Sequence, residues 1–206
     1  VRAKRVLPGL IVCLLLAGCV GGEEAAETTT TLTATTTTEP STTNEIRAYF
    51  LREGKAWPAL REVPADTAQA NAALDELFAG PTAQEQTELG WTTALPDDVG
   101  TYSLLGPPGG QRGAVSLVIE GPLPRAARAQ IVYTLTQFPL IEAVVLNDNT
   151  YQRSDLERFT PSVLVESPLA FDDVSNPVHV FGTANTFEAT FSYELTDTDG
   201  RIVDED

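Results

Sequence analysis

The spacing of apolar residues along the chain predicts two amphipathic helices. The first, residues 67–79, carries apolar side chains every three or four positions, and Asp66 is placed to cap it with Gln69 completing a capping box. The second opens at Pro124 and is closed by Pro139. The apolar face of the first helix comprises Ala70, Leu74, Leu77 and Phe78, and that of the second Ala127, Ile131, Leu135 and Phe138.

Four short apolar segments are typical of strands and alternate with these helices. They are residues 46–51, 102–105, 114–119 and 141–146. The order β-α-β-β-α-β predicts an α+β domain over residues 46–153, with both helices packed on one face of a small mixed or antiparallel sheet. Asn147-Asp148-Asn149 is typical of a turn that follows the last of these strands.

After Pro161 the pattern becomes that of β-structure alone. Apolar and polar residues alternate most clearly near the end of this region, as in a strand with one face in water, and Asp199-Gly200 then supplies a hairpin turn. A β-sandwich needs about seven strands. We therefore interpret residues 162–206 as an incomplete all-β domain. Its strand candidates are residues 163–166, 178–181 and 187–195.

The first 18 residues have the pattern of a secretory signal. A basic start precedes an apolar run from Val6 to Leu16, which is shorter than the about 20 residues that span a bilayer. The ending Leu16-Ala17-Gly18-Cys19 resembles a bacterial lipobox, in which the cysteine sulfur receives a diacylglycerol and the chain is cut before it and acylated. The resemblance implies that residues 1–18 are a lipoprotein signal peptide and Cys19 is the lipidation site. The protein is then held by lipid at the extracytoplasmic face of the cell membrane.

Residues 19–45 lack a periodic apolar pattern. Eleven of the sixteen residues from Thr28 to Thr43 are threonine. Such a tract cannot bury enough apolar surface to offset the entropy lost on ordering. We interpret residues 19–45 as a disordered tether and a candidate for O-glycosylation.

The charge and composition exclude several classes of function. The 206 residues include 29 Asp and Glu against 13 Lys and Arg, so the formal net charge is -16. Nucleic-acid binding requires clustered basic residues and is not expected. One His and two Cys leave little for a zinc site or a His-based active site. We predict neither a metal nor a cofactor.

The groups that could carry chemistry each have a plainer interpretation. His179 lies in a predicted strand without a nucleophile motif elsewhere, which favours a structural role. The segments 197–200 and 147–149 resemble pieces of calcium loops, but both are also turns. The acidic pairs Asp97-Asp98 and Glu23-Glu24 leave open a carboxylate-dependent hydrolysis of cell-wall glycans, which needs two carboxyl groups about 5–9 Å apart.

Trp57 and Trp91 are the candidate ligand-contacting residues. They flank the first helix on predicted loops. Exposed aromatic rings stack on sugars or on protein partners, and the other interpretation is that both rings pack against the helix.

Segments 72–81, 93–96 and 130–139, together with Gly90, resemble the GerMN domain of bacterial sporulation and germination proteins. The most specific is the last, a helix ending in Thr-Leu-Thr-x-Phe-Pro before a strand. Residues 162–206 resemble the start of the immunoglobulin-like domain of bacterial spore germination. The resemblance implies a non-catalytic, extracytoplasmic module without catalytic residues to carry over. We expect a lipid-anchored binding or scaffolding module, with peptidoglycan or envelope proteins as partners. The alternative is a carboxylate-dependent cell-wall glycan hydrolase.

Overall fold

The computed structural model describes residues 42–97, 99–106 and 110–205. The predicted signal peptide, Cys19 and most of the predicted tether lie outside the described residues. Within the described ranges, no helix combines the length and the apolar character needed to cross a membrane.

The described part of the chain opens with a long β-hairpin. Strand β1 (Thr43–Arg52) contains the predicted strand, and it pairs antiparallel with β2 (Lys55–Pro64). The sequence patterns do not predict β2, because two prolines interrupt it. Pro58 lies opposite Tyr49 and Pro64 opposite Thr43. The backbone groups at these positions point away from β1, so neither proline removes a hydrogen bond from the hairpin.

Helix α1 (Gln69–Ala79) confirms the first predicted helix, but the predicted capping box is wrong. The N-cap is Ala68, which makes no side-chain cap hydrogen bond. The reason is a turn in which the Thr67 N–H and hydroxyl both donate to the Pro64 carbonyl. This turn delays the helix start and leaves Asp66 exposed outside it. The Gln69 amide donates instead to the Pro64 and Thr67 carbonyls.

A second helix, α2 (Ala83–Leu89), is not predicted by the sequence patterns because its residues are mostly polar. A capping box between Thr82 and Glu85 starts it, and Gly90 ends it with a φ of 66°. That left-handed conformation is one that glycine adopts without strain.

Helix α3 (Arg125–Leu135) is buried on nearly all sides. Of the predicted apolar face, Ala127, Ile131 and Leu135 are fully buried, and Phe138 is partly buried in the turn after the helix. The helix ends at Leu135 rather than at Pro139. It packs against α1, the hairpin and the strand that follows it, so the polar residues between its apolar positions are buried as well.

A four-stranded mixed sheet completes the α+β domain and confirms the predicted fold class. Its order is β3-β4-β5-β6, with α3 as the crossover between the parallel pair β4 and β5. Asn147 and Asp148 form the predicted turn, both with positive φ, as a two-residue hairpin requires. The hairpin of β1 and β2 is a separate sheet. The strands are β3 (Ser103–Leu105), β4 (Gly113–Val118), β5 (Ile141–Leu146) and β6 (Asn149–Tyr151).

After the 3-10 helix Arg153–Phe159, the chain forms two further antiparallel pairs. The hairpin turn predicted at Asp199-Gly200 is confirmed between the last two strands. The strand predicted over residues 178–181 is shifted, so His179 is exposed and lies before the strand. The pairs are β7 (Val163–Ser167) with β8 (Phe181–Ala184), and β9 (Glu194–Thr196) with β10 (Ile202–Glu205).

The long strand predicted over residues 187–195 is wrong. Phe187–Ala189 form a 3-10 turn in which Glu188 has a φ of 57°, and only the last two predicted residues enter β9. Alternation specifies a strand only where a packed layer covers its apolar face. Phe187 is 89% exposed, so that cover is lacking among the described residues.

Candidate functional site

The α+β domain and the β-structure after it meet around a buried carboxylate. Glu166, on β7, is only 7% exposed. Its Oε1 atom accepts hydrogen bonds from the Tyr49 hydroxyl and from Arg153 Nη1, the latter at 3.0 Å. Tyr49 lies on β1 and Arg153 opens the 3-10 helix. We call Tyr49, Tyr133, Arg153 and Glu166 the junction.

The guanidinium of Arg153 is fixed on several sides. Its Nε donates to the Thr136 hydroxyl at 2.9 Å and its Nη2 to the Tyr133 carbonyl at 3.3 Å. It also lies 4.8 Å from the centroid of the Tyr133 ring and 5.8 Å from that of Tyr49. Stacking on two aromatic faces and donation in several directions favour a fixed, fully charged arginine.

The electrostatics of the junction keep Tyr49 neutral and Arg153 charged. Burial raises the pKa of Tyr49 far above its usual value, although Arg153 acts in the opposite direction. Burial alone would lower the pKa of Arg153, but Tyr49 and Glu166 raise it overall. Tyr49 is therefore a neutral donor and Arg153 a permanent cation. Such a set anchors two elements to each other and is poorly suited to proton transfer.

Strand β7 packs against the α+β domain through every second side chain. Leu164 and Glu166 both point inward, and Leu164 belongs to the same hydrophobic core as α1, α3 and β1. Arg47 adds a hydrogen bond from its Nε to the Glu166 carbonyl at 3.1 Å. We call the α+β domain the first module and residues 162–206 the second module. The start of the second module is therefore packed into the hydrophobic core of the first.

Helix α3 and the turn that follows it supply hydrogen bonds to the outer edge of β1 in place of a neighbouring strand. Gln137 accepts from the Arg47 N–H at 2.7 Å and donates to the Arg47 carbonyl at 2.6 Å. Thr134 accepts from the Tyr49 N–H at 3.1 Å, and Gln130 donates to the Tyr49 carbonyl at 2.9 Å. These bonds hold Tyr49 in place for the junction.

The polar residues in segment 130–139, the most specific part of the family resemblance, have a structural role. Gln130 and Thr134 are spaced i and i+4 on one face of α3, and Gln137 follows in the turn after the helix, at the spacing that would continue this face. Backbone N–H and C=O groups that are buried without hydrogen-bond partners lower the stability of the fold, and these three side chains supply the missing partners on β1.

We expect Gln130→Leu to lower the free energy of unfolding by about 2–4 kcal/mol. The change leaves the Tyr49 carbonyl and the Ala94 N–H, which donates to Gln130 at 2.8 Å, without these partners. Each unsatisfied buried group costs about 1–3 kcal/mol. Urea unfolding measures the loss. Gln84→Leu, on the exposed side of α2, is the matched control and should change stability little. Equal effects of both changes would show that the edge bonds are not stabilising.

The two tryptophans lie at one apolar cavity of about 210 Å³. Trp57 is on β2 rather than on a loop, and Trp91 is buried just after α2, its ring centroid 6.2 Å from that of Phe50. Pro168 and Leu169, which follow β7, complete the cavity wall. Contact of either tryptophan with a ligand stays a prediction.

The acidic candidates are not gathered into a site among the described residues. Asp97 is exposed, whereas Asp98 and Glu23-Glu24 lie outside the described residues. Asp197 accepts from the N–H groups of Asp199 and Arg201, which closes its own turn. Across the described ranges, no group of three or more His, Cys, Asp and Glu side chains is placed to hold a metal ion.

Sequence patterns missed the junction because its members are distant in sequence. Tyr49 and Glu166 are 117 residues apart, and Tyr49 and Arg153 are 104 apart. One signal was available. Glu166 is a charged residue at an inward position of the apolar strand Val163–Ser167, where a buried partner must exist.

Two known families match successive parts of the chain. Residues 47–149, half of the chain, match the family described as "Sporulation and spore germination". Residues 162–206 match the "Immunoglobulin-like domain of bacterial spore germination". No curated protein matches the chain.

One solved structure similar to the chain contains the tandem GerMN domains of the sporulation protein GerM from Bacillus subtilis. The identity is 22% and the TM-score 0.40, over 52% of this chain. The matched part spans 39% of that chain. By the match over residues 47–149, this chain belongs to the sporulation and spore germination family, and its second module is similar to the immunoglobulin-like domain of bacterial spore germination.

Proposed function

We propose that this protein is a lipid-anchored, extracytoplasmic module of the bacterial cell envelope that binds or scaffolds other components. The observation that carries the proposal is the junction. Arg153 and Tyr49 bind Glu166 so that the second module starts from a fixed place on the first. A fixed attachment of β7 holds the start of the second module in a constant relation to the α+β domain, which is what a scaffold requires.

The buried carboxylates favour binding over hydrolysis. The buried acidic residues in the described part of the chain are Glu85 and Glu166. Glu85 accepts two hydrogen bonds of 2.7 Å from Arg61. Burial raises the pKa of Glu85, but the bonds from Arg61 and Thr82 more than offset this and leave it below the usual value. A general acid of a glycosidase needs the opposite shift.

Peptidoglycan and envelope proteins are the partners that the family resemblance implies. A pull-down on insoluble peptidoglycan and a turnover assay on the same material test the proposal together. Retention on the wall, or recovery of an envelope protein, without release of soluble sugar fragments is the expected result. Release of such fragments would instead support the carboxylate-dependent hydrolase.

We expect Cys19→Ser to release the protein from membranes or to leave it as an uncleaved precursor. The lipobox cysteine is the proposed lipid attachment, and several acyl chains anchor a protein stably. Membrane fractionation and the size of the product on a denaturing gel measure this. The matched control is Cys13→Ser, which alters the other cysteine within the apolar run of the signal. Normal processing and membrane recovery of Cys19→Ser would contradict the proposed anchor.

A further inference from the structure

A cleft of about 620 Å³ lies beside the junction. Its volume is within the range of about 300–1,000 Å³ that small-ligand sites occupy. We call it the junction cleft. The lining residues that matter for binding are Lys55, Arg153, Glu157, Arg158, Ser162 and Asn185.

The charge of the junction cleft is opposite to that of the whole chain. Three of its lining residues are basic and one, Glu157, is acidic, although Asp and Glu outnumber Lys and Arg by 29 to 13 in the sequence. An anionic group is therefore attracted to this place while most of the surface repels it.

Two of the cations are available to a ligand. Arg153 is already paired with Glu166. The Lys55 ammonium donates to the Arg158 carbonyl at 2.7 Å, and the Arg158 guanidinium lies 4.8 Å from the Phe159 ring centroid. Among the described residues, neither Lys55 nor Arg158 forms an ion pair with a carboxylate. Both residues line the same cleft, and an ammonium and a guanidinium together supply several donors for one oxyanion.

The remaining polar groups of the junction cleft indicate which kind of oxyanion it binds. Glu157 accepts from the Asn185 amide at 3.2 Å and adds a negative charge to the wall. A phosphate dianion would be repelled by that carboxylate about twice as strongly as a singly charged group at the same distance. The C-terminal end of a peptide carries a single negative charge. It also has amide N–H groups, which can donate hydrogen bonds to the Glu157 carboxylate. The Asn185 N–H donates a hydrogen bond to the Ser162 carbonyl at 2.7 Å, which fixes the part of the wall that these two residues form.

We propose that the junction cleft binds the free carboxylate end of a short peptide, with Lys55 and Arg158 as the carboxylate-binding residues. This inference rests on the proposed binding function and names the chemistry of its ligand. Lys55, at the start of β2, and Asn185, just after β8, line the same cleft, so an intact junction is needed to hold both residues there.

The test is binding of N-acetylated tripeptide mixtures to the full chain purified in detergent. One mixture ends in free carboxylates and the other in amides, and saturation-transfer NMR detects bound peptide at millimolar concentration. Arg158→Gln and Lys55→Gln remove one charge each. Arg125→Gln, an exposed arginine at the start of α3, is the matched control. Thermal melting of each variant verifies that it is folded.

We expect the carboxylate mixture to bind and the amide mixture to bind at least tenfold more weakly. Arg158→Gln and Lys55→Gln should each weaken binding about tenfold, the typical value of one charge-assisted hydrogen bond, and Arg125→Gln should leave it unchanged. Equal binding of both mixtures, absence of binding, or displacement by inorganic phosphate at equal concentration would each overturn the inference. Membrane recovery of the chain, which tests the anchor, does not depend on any of these outcomes.

Discussion

Leu135→Asp is expected to unfold the α+β domain. Leu135 is fully buried in α3 and belongs to the main hydrophobic core. An unpaired buried charge costs several kcal/mol, which is comparable with the whole stability of a domain, about 5–15 kcal/mol. We expect the cooperative melting transition, followed by circular dichroism, to be lost at room temperature and above.

The matched control is Leu140→Asp, in the turn just before β5. Leu140 is 55% exposed, so a charge there remains in water. The control should melt within a few degrees of the unchanged protein. If Leu135→Asp melted as the control does, α3 would face solvent and the architecture would be wrong.

Arg153→Ala is expected to have the second largest effect, a loss of about 3–5 kcal/mol. The change leaves Glu166 buried without its cation, and breaking a buried ion pair by removing one partner has a cost of that size. It also removes the hydrogen bonds to Thr136 and to the Tyr133 carbonyl. Urea unfolding measures the difference in free energy.

Arg201→Ala is the matched control for this change. Arg201 also forms an ion pair, with Asp199 at 3.5 Å, but both side chains are exposed. Surface pairs contribute about 0–1 kcal/mol. A loss for Arg153→Ala as small as that for Arg201→Ala would mean that the junction does not stabilise the protein.

The sequence was sufficient to predict the elements that bury a regular apolar pattern. Helices α1 and α3 and strands β4 and β5 are such elements, because period and burial agree in each. Strand β2 was missed because Pro58 and Pro64 break its pattern, and only the structure shows that both lie on its outer edge. Helix α2 was missed because it rests on a capping box and buries Glu85 rather than apolar residues.

The candidate site depends on long-range packing and could not be predicted in the same way. Tyr49 is in place because Gln130 and Thr134 bind the backbone of β1, and no local pattern relates these residues. Arg153 and Glu166 resemble ordinary surface charges when seen in sequence. Only the inward position of Glu166 in an apolar strand pointed to a buried partner.

The most direct test of a fixed connection between the two modules is a double-mutant cycle on Arg153 and Glu166. Urea unfolding is measured for Arg153→Ala, Glu166→Ala, the double variant and the unchanged protein. We expect the double variant to be more stable than the sum of the two single losses implies, by more than about 1 kcal/mol. The reason is that each single change leaves the other charge buried without its partner. Additivity within about 0.5 kcal/mol, the behaviour of independent sites, would contradict the connection.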